Sequence, residues 1–188
     1  MRALQITDLI GPDGVAVMDD VAEPADDGRS VIIDTAFAGV SFPDLLQTRG
    51  MYQIRPEPPF TPGVEAAGVV RSAPAGSGFS PGDRVAVWGT ACHAEVIAAH
   101  PNQCFIIPEE LSLAEGASLV LNYQTAVFCM VDRGGLRAGE SVLVMGAAGG
   151  VGTSAIQVAN GTGASMVIGL VSTPEKAEIA RAAGATHT

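Results

Sequence analysis

Basic residues are scarce in this chain. Lys and Arg total 10 against 20 Asp and Glu, a net charge of −10. That surplus favours solubility and argues against nucleic acid or an anionic membrane as a partner. Any anionic cofactor must then be held by local donors rather than by the field of the whole molecule. Cysteine is also rare. Cys92, Cys104 and Cys129 lie 12 and 25 residues apart, which is neither a disulfide framework nor a metal cluster. Each reads as a small buried apolar residue. The histidines His93, His100 and His187 share no metal-binding spacing. His93-Ala94-Glu95 matches half of a zinc deaminase signature, but the Pro-Cys-x-x-Cys half is missing. No apolar run reaches membrane-spanning length, and Met1-Arg2-Ala3-Leu4 opens no apolar leader. A cytoplasmic protein is expected. Internal repeats and low-complexity tracts are absent.

What is present suits one large or two small domains: 188 residues, 47% of them apolar. The front of the chain reads as mostly β. Strands are expected at 2–7, 15–18, 30–37, 63–73, 84–88, 94–98 and 104–107. Val31, Ile33, Thr35 and Phe37 alternate with Ile32, Asp34 and Ala36, the period of a strand. Ser41 caps a short helix over 41–49 with Pro43 in its first turn. The four prolines between Gly50 and Pro62 make an irregular loop. The small residues of 63–73 leave room for a second backbone or a ligand. Ser112 and Glu115 form a capping box, and a helix is expected over 119–131. The crowded turns of the front favour a barrel. The boundary falls near Tyr123, giving domains 1–122 and 123–188.

The rear domain is organised by Ser141–Gly152. Five residues of strand character, Ser141 to Met145, run into glycines, and the glycines run into a helical pattern. That order is the setting of the dinucleotide fingerprint. Its core is Ala147-Ala148-Gly149-Gly150-Val151-Gly152, with Ala in the first glycine place. Gly149 would let the main chain approach a diphosphate, and Gly152 would let the helix pack on its strand. The amides opening the helix, together with its dipole, favour an anion. The bland alternative is a tight strand–helix corner and nothing more.

The next apolar run, Ser165–Val171, suits a strand buried on both faces of a parallel sheet. An NAD site would carry an acid about 20 residues beyond the glycines. Here that place holds Ser172, followed by Thr173, Pro174, Glu175 and Lys176. A hydroxyl pair with a Lys one turn later suits a 2′-phosphate, so NADPH is the expected cofactor. A capping box between Ser172 and Glu175, with Lys176 as a solvated charge, accounts for the same residues without a ligand.

Several motifs together carry a family resemblance: Pro81-Gly82-Asp83-Arg84-Val85, Pro62-Gly63-Val64-Glu65-Ala66-Ala67-Gly68, Asn122-Tyr123-Gln124-Thr125-Ala126 and the glycine turn. They resemble the medium-chain dehydrogenase/reductase superfamily, and within it the quinone oxidoreductase (zeta-crystallin-like) branch, over essentially the whole chain. The resemblance implies an α/β plus β fold, a GroES-like β-barrel followed by a Rossmann domain. Zinc alcohol dehydrogenases of this superfamily place Cys and His where this chain has Ser41 and Val64, and the four-cysteine zinc lobe is missing. Without those ligands no tetrahedral zinc site forms.

The implied activity is hydride transfer from NADPH to a small-molecule quinone or to the β-carbon of an enone. Tyr52 matches a Tyr beside nicotinamide and substrate, and would stabilise the developing oxyanion. Ser41 stands where the branch usually has Asn, and Thr125 matches a Thr near the nicotinamide carboxamide. The expected cofactor contacts are Ser41, Thr125, Ala148, Gly149, Gly150, Val151, Gly152, Ser172, Thr173 and Lys176, with no metal. Tyr52 as an aromatic pinning the proline-rich turn, and Thr125 bonding its own helix, are the structural alternatives. Glu65, matching a Glu behind the zinc in relatives, is expected to bond main-chain amides. An enoyl-thioester reductase and a non-catalytic NADPH-binding protein are the competing functions. The family often forms homodimers through the Rossmann sheet edge. Strands 4 to 6 of a full dinucleotide fold are absent. The chain is therefore read as an incomplete Rossmann domain, a fragment or a truncated product binding NADPH weakly alone. Its first strand would carry an unpaired, aggregation-prone edge.

Overall fold

The period-two alternation at 30–37 is realised as a strand, Val31–Ala38, in a computed structural model that describes residues 1–188. The chain divides into two units, Met1–Val120 and Leu121–Thr188. In the first, β1 (Ala3–Ile6) and β2 (Val15–Met18) form an antiparallel ribbon. The strands β3 (Val31–Ala38), β4 (Glu65–Ser72), β5 (Arg84–Trp88), β6 (Val96–Ala99) and β7 (Cys104–Ile106) build one antiparallel sheet in the order β6-β3-β4-β5-β7. A single bridge, Ala3 to Ala94, ties β1 to the segment leading into β6.

Val31, Ile33, Val70, Val85, Val87 and Ile97 fill the core beneath this sheet. Each such side chain contributes roughly 1.5–3 kcal/mol on burial. The small residues of β4 serve the close approach expected of them. Ala66 and Ala67 are fully buried, and a Cβ on Gly68 would lie 2.0 Å from the Asp34 carbonyl oxygen of β3. The helix α1 (Phe42–Gln47) starts at Ser41 with Pro43 in its first turn. The capping box of Ser112 and Glu115 opens α2 (Leu113–Gly116): the Ser112 amide donates to Glu115 Oε2 at 2.8 Å and the Glu115 amide to Ser112 Oγ at 3.2 Å.

The helix expected over 119–131 is two structures. The α-helix α3 (Val120–Val127) gives way to π-helical turns over Phe128–Arg133. The wider turn takes one more residue per bond. Phe128 is half exposed, with the Arg133 guanidinium 4.9 Å from its ring centroid. This corrects the reading of Cys129: Cys92 and Cys104 are buried, but Cys129 is exposed.

In the second unit β8 (Ser141–Met145) pairs in parallel with β9 (Met166–Leu170), joined by α4 (Gly150–Gly161), and α5 (Pro174–Ala182) follows. Ala147, Ala155, Ile156, Ala159 and Ala180 pack with Val144 and Val167 in one cluster. Their small size draws the helices close to the sheet. That cluster uses one face only. Leu143, Met145 and Leu170 on the outer side stay 59%, 74% and 51% exposed. Burial of β9 on both faces, as the apolar run suggested, is therefore not met within this chain. No helix is long and apolar enough to cross a membrane.

Candidate functional site

The glycine turn works because its glycines do different things. Gly146 leaves β8 with φ 66°, a left-handed conformation that glycine adopts without strain. Its carbonyl accepts the Gly149 amide at 3.0 Å. Gly149 is the extended N-cap of α4, and the first helical bond runs from the Thr153 amide to the Gly149 carbonyl at 2.8 Å. The amides of Gly150, Val151 and Gly152 have no backbone partner, and no side chain caps them. A Cβ on Gly152 would lie 2.3 Å from the Gly146 oxygen and 2.8 Å from Ala147 Cα. Gly152 is therefore required for packing. A Cβ on Gly149 would meet nothing closer than 3.4 Å, so its bareness serves the open side of the turn.

That open side is a hollow of about 530 Å³ lined by Gly146, Ala148, Gly149, Leu170, Val171, Ser172 and Lys176. Of the residues expected at the cofactor, Ala148, Gly149, Ser172 and Lys176 thus line one hollow, while Gly150, Val151, Gly152 and Thr173 do not. Lys176 Nζ donates to Ser172 Oγ at 3.1 Å, which leaves the serine hydroxyl proton free for a ligand. The cap of α5 is not Ser172 but Thr173, whose Oγ1 accepts the Lys176 amide at 3.4 Å. The alternative Ser172–Glu175 box is therefore not formed. Pro174 sets the first helical residue, so the cap falls one place later. Glu175 does not line the hollow. Its carboxyl is held below the usual range by its own amide and then by the Thr173 hydroxyl. The like charge at 175 is thereby engaged at the helix end.

The remaining site residues are distributed. Thr125, in α3, donates its hydroxyl to the Leu121 carbonyl at 2.7 Å, the helix back-bond weighed as its alternative. Ser41 and Tyr52 belong to the first unit. The amide and the hydroxyl of Ser41 both donate to Asp44 Oδ2, at 2.6 and 2.8 Å. Asp44 is only 5% exposed, and its Oδ1 has no partner. With its proton committed, Ser41 can accept from a ligand but not donate. Tyr52 is half-buried, and its carbonyl takes the Arg55 Nε at 2.9 Å. Its own hydroxyl makes no hydrogen bond within the chain. Gly39, two residues before Ser41, donates its amide to the Glu65 carbonyl at 3.1 Å. Its carbonyl oxygen lies 2.9 Å from His93 Nε2. Asp44, not singled out from sequence, and His93, weighed there only as a possible metal ligand, therefore fix the turn that carries Ser41.

Residues 27–128, more than half of the chain, match the model of the alcohol dehydrogenase GroES-like domain. The chain belongs to the medium-chain dehydrogenase/reductase family, in its quinone oxidoreductase branch. Quinone oxidoreductase of Rattus norvegicus is 36% identical over 166 residues, which is 87% of this chain and 50% of that protein. Among solved structures, a probable oxidoreductase from Mycobacterium abscessus is 47% identical with a TM-score of 0.93, covering all of this chain and 60% of that one. The quinone oxidoreductase of Thermus thermophilus, solved also in complex with NADPH, is 34% identical with a TM-score of 0.86, over all of this chain and 59% of that one. The chain thus spans about half the length of the curated relative and about 60% of the two solved chains. In family terms the first unit carries the GroES-like fold and the second the opening βαβα of a dinucleotide fold.

Proposed function

We propose that this chain binds NADPH and contributes to zinc-independent reduction of a quinone or an α,β-unsaturated carbonyl by hydride transfer. The carrying observation is one hollow lined both by Gly146, Ala148 and Gly149 of the glycine turn and by the Lys176–Ser172 pair, with the uncapped amides of α4 directly following Gly149. Its chemistry fits the group. Uncapped helix amides accept a diphosphate, and a cation beside a free hydroxyl proton accepts a 2′-phosphate. NADPH supplies the hydride when bound; the protein supplies position and electrostatics.

The assignments of individual residues follow from their free valences. Gly150 and Val151 amides hold the diphosphate, beside Ala148 and Gly149, while Gly152 keeps α4 against its strand. Ser172 donates to the 2′-phosphate, Lys176 supplies charge, and Thr173 fixes the helix that carries Lys176. Thr125, its proton spent on its own helix, offers an acceptor suited to a carboxamide N–H, and Ser41, in the first unit, likewise keeps only acceptor capacity for the cofactor. Tyr52, with an unspent hydroxyl, is the donor for negative charge on the acceptor's carbonyl oxygen. Metal assistance is not part of the proposal, because the family's ligand places hold Ser41 and the buried Val64, neither of them a zinc ligand.

Calorimetric titration with NADPH, followed by NADPH oxidation with 9,10-phenanthrenequinone, 1-octen-3-one and crotonyl-CoA, tests the reading. Binding is expected, with turnover of the first two and no loss after dialysis against a chelator. Turnover of crotonyl-CoA alone would transfer the assignment to enoyl thioesters; absence of NADPH binding would end it. Tyr52→Phe is expected to lower kcat by about a hundredfold with NADPH affinity intact, the loss typical of one oxyanion donor.

A further inference from the structure

The residue that lies against the start of α4 is Asn122. An added Cβ on Gly150 would sit 2.9 Å from Asn122 Nδ2 and 3.2 Å from its Cγ and Oδ1, so Gly150 is bare in order to seat this carboxamide. The next residue pins the arrangement: the Tyr123 hydroxyl, on α3, donates to Gln157 Oε1 on α4 at 2.5 Å. Asn122 itself is half-buried, and its carboxamide makes no hydrogen bond within the chain. Its donor and acceptor are therefore free for water or for a ligand. Beside it stand the unpaired amides of Gly150 and Val151. The chain carries −10 overall, and the hollow's lining contains one cation, Lys176, and does not include Asn122. A neutral donor against the first turn of α4 would add to what that cation and the helix amides offer an anion.

We infer that Asn122 is a further cofactor-positioning residue, its Nδ2 donating to a diphosphate oxygen of the dinucleotide at the mouth of α4. The inference rests on the NADPH reading and separates from it experimentally. Fluorescence titration of the full chain with NADPH is compared with calorimetric titration by adenosine 2′-monophosphate, which has the 2′-phosphate and no diphosphate. Asn122→Ala is expected to weaken NADPH about tenfold, the loss of one hydrogen bond to a charged group, and to leave the 2′-monophosphate unchanged. Asn122→Asp, equal in size and so equally able to pack on Gly150, is expected to weaken NADPH further by repulsion. Equal NADPH affinity of Asn122→Ala and the natural chain overturns the inference while the cofactor reading stands. A uniform loss for both ligands overturns it too, because it marks a damaged unit rather than a lost contact. No NADPH binding by the natural chain, with the 2′-monophosphate also failing to bind, removes both.

Discussion

Two glycines three residues apart should fail in opposite ways. Gly152→Ala places a Cβ 2.3 Å from the Gly146 oxygen and 2.8 Å from Ala147 Cα. Both obstacles are backbone, and both are tied. The Gly146 oxygen accepts the Gly149 amide, and the Ala147 amide donates to the Leu170 carbonyl at 3.2 Å. Real Cβ atoms do not come within 3.0 Å of such atoms, so the start of α4 must move by roughly 0.7 Å (3.0 − 2.3). With no flexible side chain to yield, the overpacking cost sits at the upper end of its range, about 3 kcal/mol. Helix propensity returns about 0.5–1 kcal/mol when Ala replaces Gly, leaving a net loss of about 2 kcal/mol. Gly149→Ala has no such conflict. Its φ of −85° and ψ of 171° suit any residue, and a narrower unfolded ensemble gives about 0.4–1 kcal/mol of stabilisation. Its methyl, however, enters the hollow. Urea denaturation and NADPH titration of the two variants decide the matter. Gly152→Ala should lose stability, and Gly149→Ala should keep stability but lose tenfold or more in affinity. A stable Gly152→Ala, or a Gly149→Ala that binds NADPH like the natural chain, would refute the division of labour.

Lys176→Ala should weaken NADPH about tenfold and leave NADH nearly unchanged, since an exposed charged contact is worth about 1.5 kcal/mol at most; equal losses for both cofactors in parallel titrations would count against a 2′-phosphate contact. Iodoacetamide should modify Cys129 alone, because it is exposed while Cys92 and Cys104 are buried. Burial, reinforced by the Asp44 and Glu65 carboxylates, pushes the Cys92 thiol up to about 12, and burial pushes Cys104 up to about 11. Their protonated form is the folded form, so the stability they contribute is present below about pH 8.5 and lost as pH rises from there towards 11 and 12. Mass mapping of labelled Cys92 before Cys129 would contradict the burial pattern.

The order of elements, the family and the glycine corner proposed to hold a dinucleotide phosphate could all be read from sequence. These are local properties. Alternation at 30–37 makes a strand whatever surrounds it, and strand, glycines and helix follow one another within 141–161. The reason for Gly152 was legible too, because only tight helix–strand packing forbids a Cβ there. What the tertiary structure alone decided depends on partners distant in sequence. Asp44 accepts the hydrogen bond of the Ser41 hydroxyl and His93 reaches back to Gly39, so Ser41 is left with acceptor capacity only. Asn122 comes to rest on Gly150 because α3 packs beside α4. Thr173, rather than Ser172, caps α5, since proline fixes where the helix can begin. Cys129, within the π-helical turns, is exposed, which no hydropathy pattern records. Hydrogen-bond direction and side-chain exposure are properties of the packed chain. Residue type states what a group can donate or accept, and only its neighbours fix what it has left to give.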